Sequence, residues 1–245
     1  MLFLNSIIEV FSVFIKMLYP KKCIVCGEII DEDEFLCDVC YKEFKQIDHT
    51  KQCFSCGMEK KHCRCAQRVY RFNGITSAFY SSDNVKRAFY SYKLSHKMHY
   101  ADYFSKQMAF AVKNSFYNLK FDYICSVPTA LSSKMKRGFD HSKLLCDGIS
   151  KILNIKKLDN ILVCRNFIKP QHTSDITKRL ENVDGKYSFI REINGGKILL
   201  VDDIITTGAT LDECAKQLLL AGADEVYCVT ALYTLPKNIE IKKDL

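Results

Sequence analysis

The chain has 245 residues, of which 48% are hydrophobic and 26% charged, with thirteen cysteines and a formal net charge of +8. That length and composition suit one medium α/β domain with a smaller companion and exclude a disordered chain. The charge excess lies wholly in residues 71–245, with 26 basic against 18 acidic side chains, since residues 1–70 balance at ten of each. It favours anionic partners such as polyphosphates or nucleic acid, although many proteins carry such a charge for colloidal reasons alone.

Residues 1–18 are mostly apolar, with Asn5, Glu9, Ser12 and Lys16 on one stripe at helical spacing. The pattern predicts an amphipathic helix. A membrane span needs roughly twenty apolar residues without internal charges, and a signal peptide needs a basic start, which Met1–Asn5 lacks. A cytoplasmic protein without a transmembrane segment is expected. The wide apolar face of residues 1–18 suits docking on the protein itself and leaves a peripheral membrane contact open.

Residues 19–68 hold eight of the cysteines, as Cys23-x-x-Cys26, Cys37-x-x-Cys40, Cys53-x-x-Cys56 and Cys63-x-Cys65. Paired thiolates at this spacing predict tetrahedral zinc sites, whereas an odd total without a secretion signal argues against a disulfide framework. Cys23, Cys26, Cys37 and Cys40 make one site, with Phe35–Cys37 read as a strand entering its second half. Cys53, Cys56, Cys63 and Cys65 make a second, with Gly57 placed as Gly27 is in the first. Unmetallated thiols, or His62 in place of one ligand, are the alternatives at the second site. A module this small draws its folding free energy from the metal. The other cysteines, Cys125, Cys146, Cys164, Cys214 and Cys228, lie singly in apolar segments and are expected in the core.

From residue 69 onward strands and helices alternate, which predicts βαβ units and a parallel sheet. A strand or hairpin is expected over Phe72–Tyr80 with Gly74 at a turn, then a helix capped at Asp83-Asn84 and running to Lys93. In this helix and beyond, Lys86, Arg87, Lys93 and Lys97 alternate with Phe89, Tyr90, Tyr92 and Tyr100. Basic and aromatic residues interleaved can hold single-stranded nucleic acid by phosphate contact and stacking, but at helical spacing Phe89 and Tyr92 fit the core better. Further helices are predicted over Ala101–Phe116 and Asp140–Leu153. Strands are expected at Phe121–Val127, Ile161–Cys164 and Tyr187–Ile190. The basic loop Lys134–Phe139 stands where it can meet an anion, and Lys169–Glu181 is polar without clear periodicity.

The last third holds the most informative stretch, Lys197–Thr210. Ile198–Val201 reads as a strand buried on both faces, ending in Asp202-Asp203 at the carboxyl edge, where carboxylates can accept hydrogen bonds from sugar hydroxyls. Thr206, Thr207, Gly208, Ala209 and Thr210 then offer hydroxyls, a flexible glycine and backbone N–H groups just ahead of a helix over Thr210–Ala221, which makes an anion site. The ligand implied is a sugar diol bearing a phosphate. An acid pair also ends the magnesium-holding strand of P-loop NTPases, but no G-x-x-x-x-G-K-[ST] occurs in the chain. Gly222 closes the helix, and Glu225–Ala231 is the last predicted strand.

The pattern from Ile198 to Thr210 resembles the 5-phosphoribosyl-1-pyrophosphate (PRPP) motif of type I phosphoribosyltransferases. The resemblance implies that Asp202 and Asp203 hold the ribose hydroxyls and Thr206 to Thr210 the 5′-phosphate. Taken with the cysteine module, Tyr92-Lys93-Leu94, Val127-Pro128, Arg137-Gly138-Phe139-Asp140-His141, Gln171, Arg179 and Asn182-Val183, nearly the whole chain resembles the ComF family of competence proteins. Asp140-His141 departs from the family's Asn-Gln, and Ser174 from its apolar residue. The family implies a type I phosphoribosyltransferase fold behind an N-terminal zinc-ribbon module, divided here as residues 1–18, 19–68 and 69–245. It also implies structural zinc, PRPP with Mg²⁺, Lys93, Arg137 and Arg179 facing pyrophosphate, and partners in DNA uptake. Three readings stay open: a PRPP-binding competence protein with or without phosphoribosyl transfer, a nucleobase-salvage transferase, and a zinc-ribbon nucleic-acid adaptor without turnover.

Overall fold

In the computed structural model the described residues are 14, 15, 17–44, 46–63, 65, 69–94, 99–129, 140–165 and 185–235, with backbone only at residues 93, 94 and 99. Most of the predicted N-terminal helix, the basic loop 134–139 and the polar stretch 169–181 lie outside them. So do Lys97, Arg137, Arg179 and the side chain of Lys93.

The centre of the fold is a strand whose residues leave no face to solvent. In β6 (Lys197–Ile205) Ile198, Leu199, Leu200 and Val201 are all fully buried. Alternate side chains enter opposite cores, Leu199 and Val201 on one side and Ile198 and Leu200 on the other. On either side of it run β7 (Glu225–Tyr233) and β2 (Tyr123–Ser126). The edges are β1 (Gly74–Tyr80) next to β7 and the two-residue β3 (Lys156–Lys157) next to β2. All four pairings are parallel, as the alternation of elements predicted. Of the two forms expected over Phe72–Tyr80, the single strand forms and the hairpin does not, because β1 finds its partner far downstream, with Gly74 opposite Tyr227. An antiparallel pair, β4 (Leu162–Cys164) with β5 (Tyr187–Phe189), stands apart from this sheet.

Helices cover both faces. The sequence pattern of α2 (Asp83–Leu94) buries Val85, Ala88, Phe89 and Tyr92 at spacings of three and four. Its first turn is capped by the Ser82 hydroxyl, which accepts from the Val85 N–H at 3.4 Å, rather than by Asp83 or Asn84. Helix α3 (His99–Ser115) buries Tyr100, Phe104, Met108 and Val112, and α4 (His141–Leu153) buries Leu145, Cys146 and Ile149 on the same side. The other face is closed by α5 (Ala209–Leu220), through Leu211, Cys214, Ala215 and Leu218. Of the single cysteines, Cys125, Cys146, Cys214 and Cys228 are buried as expected, while Cys164 is only half-buried.

Helices α3 and α4 meet at Gly148. A Cβ placed there would lie 2.3 Å from Ser105 Oγ and 2.6 Å from Ser105 Cβ, so the helices must part to admit it. Gly148→Ala should therefore destabilise by about 1–3 kcal/mol despite alanine's better helix propensity of roughly 1 kcal/mol. Adding Ser105→Gly should restore most of the loss in a chemical denaturation series; equal stability of Gly148→Ala and wild type would refute the contact.

The cysteine-rich module is built into the edge of this sheet. Gln46 bridges antiparallel to Phe79, the Ile47 N–H donates to Ala78 O at 3.3 Å, and the Ile75 N–H donates to Phe54 O at 2.9 Å. A bare edge strand is a template for aggregation, and here the module covers it. Ile24, Leu36 and Phe44 of its first half share a core with Phe79, Phe89 and Phe104. Ile47 and Met58 of its second half share the opposite core with Ile75, Ile205 and Leu211. Phe35–Cys37 is not a strand: α1 (Asp38–Glu43) begins directly after Cys37, whose extended backbone serves as its N-cap.

Candidate ligand site and the four-cysteine clusters

The end of β6 differs from the sequence expectation in one respect. The strand does not stop at the acid pair but continues through Asp202 and Asp203 to Ile205, because Asp202, Ile204 and Ile205 still pair with Thr230, Leu232 and Tyr233 of β7. Asp202 is buried to 8% exposure, and one of its oxygens, Oδ1, accepts from Ser142 Oγ at 3.1 Å and from the Asp203 N–H at 2.8 Å. Two donors on one oxygen fix the plane of the carboxylate. Asp203 is half-buried.

Past Ile205 the chain turns into α5. Gly208 sits at the N-cap with φ 76° and ψ 0°, a left-handed conformation that costs other residues energy. Thr207 Oγ1 accepts from the Ala209 N–H at 3.4 Å, while Thr206 is exposed. The N–H groups of a helix's first turn have no partners inside it and carry the positive end of its dipole. Asp202 and residues 204–211 together line a small open concavity of about 210 Å³, and Asp203 is outside that lining. Five of the predicted phosphate residues and one of the two predicted sugar residues thus surround one hollow.

The thiols form two groups of four. In each, all sulfurs lie within 4.8 Å of one another. Cys26 and Cys37 are 3.7 Å apart, as are Cys53 and Cys65, and Cys56 and Cys63. Four sulfurs on a tetrahedron with metal–sulfur bonds of 2.3 Å stand about 3.8 Å apart, so both groups fit zinc. His62 is not among the second set. The two halves repeat the same device: Gly27 and Gly57 have φ 82° and 73°, and their N–H groups donate to Cys23 O and Cys53 O. The residues flanking each loop close it with an antiparallel bridge, Lys22 to Ile29 and Gln52 to Glu59. Burial pushes each first thiol up, but backbone N–H donors outweigh it and draw Cys23 and Cys53 down to about 7. Cys40 and Cys65 go upward, through burial and the adjacent thiols, as expected for negative charges crowded without a cation.

Two domain families match this chain, the double zinc ribbon domain over residues 14–70 and the phosphoribosyl transferase domain over residues 155–244. The chain joins a double zinc ribbon to a phosphoribosyltransferase domain. Among curated proteins, DNA utilization protein YhgH of Escherichia coli K12 is 24% identical over 212 residues, covering 84% of this chain and 88% of that one. Competence protein F of Haemophilus influenzae is 25% identical over 217 residues, covering 84% and 93%. The resemblance to the ComF family is borne out as distant homology over most of the chain. Of solved structures, a glutamine PRPP amidotransferase from B. subtilis aligns with 53% of this chain and 25% of its own, at 20% identity and a TM-score of 0.37. With so partial an overlap, the fold rests on the sheet order and the domain match. That match begins at residue 155, so β1 and β2, upstream of it, complete the transferase sheet.

The structure sorts the remaining predicted residues. On α2, Phe89 and Tyr92 are fully buried, in agreement with the core reading, which leaves Tyr90, half exposed, beside the exposed Arg87; Tyr100 on α3 is buried as well. Lys86 stands 4.0 Å from Asp83. Three residues around the hollow and its turn were not read from the sequence. Ser142 holds Asp202, and Tyr187 on β5, its hydroxyl pushed up by burial, lies on the Thr210 side of the turn. Tyr70 donates from its hydroxyl to Thr207 O at 3.4 Å. A serine inside a helix pattern and two tyrosines in polar surroundings carry no local signal; only the fold brings them to the turn.

Proposed function

We propose that this protein binds PRPP, or a ligand of the same sugar-phosphate class, and acts in the handling of incoming DNA. The observation that carries the reading is the shared hollow, with Asp202 fixed by two donors beside a glycine-bearing helix N-terminus. The domain match supplies the ligand class. Asp202 and Asp203 would take the ribose hydroxyls and Thr206 to Thr210 the 5′-phosphate, with Lys93, Arg137 and Arg179 toward the pyrophosphate. Mg²⁺ accompanies PRPP by charge neutralisation. The names of the relatives, DNA utilization protein and competence protein, supply the process.

Any transfer at this site would be displacement of pyrophosphate from the sugar by a nucleophile, with the protein orienting groups and stabilising charge. Titrating the full chain with PRPP and Mg²⁺ should release heat, and Asp202→Ala with Asp203→Ala should abolish it. An unchanged signal in the double variant would remove the assignment. Pyrophosphate release with added nucleobases then separates salvage from binding alone.

Binding of single-stranded DNA is supported by the exposed Arg87 and Tyr90 on α2 and by the basic excess of residues 71–245. Affinity for a fluorescent oligonucleotide should fall as salt rises, and Lys93→Ala should reduce the salt slope by about 1. Absent or salt-independent binding would discard this part and leave the ligand assignment standing.

A further inference from the structure

The segment that leaves the second ribbon is anchored directly onto the turn that opens α5. Five residues after Cys65, Tyr70 lies against that turn. Its ring carbon Cε1 is 3.0 Å from where a Cβ on Gly208 would stand, and its hydroxyl donates to Thr207 O. The ring is held flat on buried Phe72, with centroids 4.6 Å apart and planes 18° from parallel. Next, Arg71 grips the first turn of α5. Its N–H donates to Asp212 Oδ1 at 2.5 Å and its guanidinium to Asp212 Oδ2 at 2.9 Å, while the Asp212 N–H donates to Gly208 O at 2.9 Å. Downstream, Asn73 pairs with Val226 in both directions, at 2.7 and 2.9 Å. A second route runs through the core. A Cβ on Gly57 would stand 3.2 Å from Ile75 and from Tyr233, and Tyr233 pairs with Ile205 at the base of the turn.

Charge makes the arrangement more than a brace. Asp212 lies within one turn of the helix start, where a bound phosphate would feel its negative charge; the Arg71 guanidinium compensates it. As Arg71 is about half exposed, the pair adds little to stability, so its effect falls on the turn rather than on the fold.

We propose that Tyr70 and Arg71 are positioning residues for the Thr206–Thr210 turn, and that the metal held by Cys53, Cys56, Cys63 and Cys65 thereby sets the turn's affinity for a phosphate-bearing ligand. The inference rests on reading that turn as the phosphate site. The test uses the full chain, titrated with PRPP and Mg²⁺, together with hydrogen exchange of residues 206–211 in the free protein. Tyr70→Ala and Arg71→Ala should each raise the dissociation constant about fivefold or more, without changing zinc content. Tyr70→Phe, which keeps the ring, should stay close to wild type, and Asp212→Asn should rescue Arg71→Ala in part. Cys63→Ser with Cys65→Ser should lose one zinc and show the same weakening. Wild-type affinity in both Tyr70→Ala and Arg71→Ala overturns the proposal. If wild type itself binds no PRPP, the ligand reading fails instead, and exchange decides the positioning: faster exchange at 206–211 in Tyr70→Ala sustains it, and unchanged exchange ends it.

Discussion

Replacing Cys37 and Cys40 together by serine should remove one zinc per chain and lower the melting temperature by about 20 °C or more, beyond the effect of any single core truncation. A structural zinc contributes roughly 10–16 kcal/mol of apparent binding free energy in small modules, comparable with the whole stability of a domain, about 5–15 kcal/mol. Truncating one large buried side chain removes about 3–5 kcal/mol. What makes the loss global is the location of the cluster. Cys23, Cys37 and Cys40 are buried in the same core as Phe79 of β1, Phe89 of α2 and Phe104 of α3. Aromatic contacts tie the two parts together, with Phe44 edge-on to Phe79 at 5.3 Å and Phe35 at 5.3 Å from Tyr103. Releasing the metal lets this half-ribbon open and uncovers the core side of β1, α2 and α3 that Ile24, Leu36 and Phe44 pack against. Elemental analysis beside a thermal melt checks both halves of the statement. Retention of two zinc ions, or loss of one with the melting point unmoved, would show that the first ribbon is a detached appendage.

That intimacy between ribbon and sheet is what the sequence could not convey. The cysteine spacing carried the metal sites because ligand geometry is local: both loops close within a few residues, on Gly27 and Gly57. The cap signal at Asp83-Asn84 and the helical spacing of Phe89 and Tyr92 carried α2 for the same reason. The strand β1 was legible, but its partner lies far along the chain, so its pairing with β7 left no trace in the nearby pattern, and a turn signal at Gly74 kept a hairpin open beside the single strand. In fact Gly74 is small because the Phe54 ring lies 2.8 Å from where its Cβ would be. The acid pair was legible as chemistry but misplaced as geometry. Charged residues look like the end of an apolar run, yet β7 supplies ladder partners as far as Ile205, and Asp202 is tolerated there because Ser142 and the Asp203 N–H satisfy its oxygen.

Gly208→Val should weaken PRPP binding by about 100-fold while costing only about 1–3 kcal/mol of stability. The residue has φ 76°, where an ordinary L-residue loses roughly 1–2 kcal/mol and a β-branched one fares worse. Space is short as well: the new Cβ would meet Tyr70 Cε1 at 3.0 Å and Ile205 Cδ1 at 3.4 Å. Tyr70 is pinned on Phe72 and Ile205 is part of the ladder, so the strain is relieved by rotation of the turn. Rotation re-aims the N–H groups of residues 208–210, and hydrogen bonds to a charged group are worth about 1.5–3 kcal/mol each, so losing one or two accounts for the predicted factor. The two causes can be separated. Gly208→Asn accepts the left-handed backbone better but meets the same ring, whereas Tyr70→Ala removes the ring and leaves the strain. If backbone conformation governs the site, Gly208→Asn binds more tightly than Gly208→Val in calorimetry; if the ring governs it, Tyr70→Ala restores binding to Gly208→Val. Undiminished binding by Gly208→Val alone would mean that the phosphate is held by the threonine hydroxyls, and the backbone N–H groups of the turn would lose their assigned role.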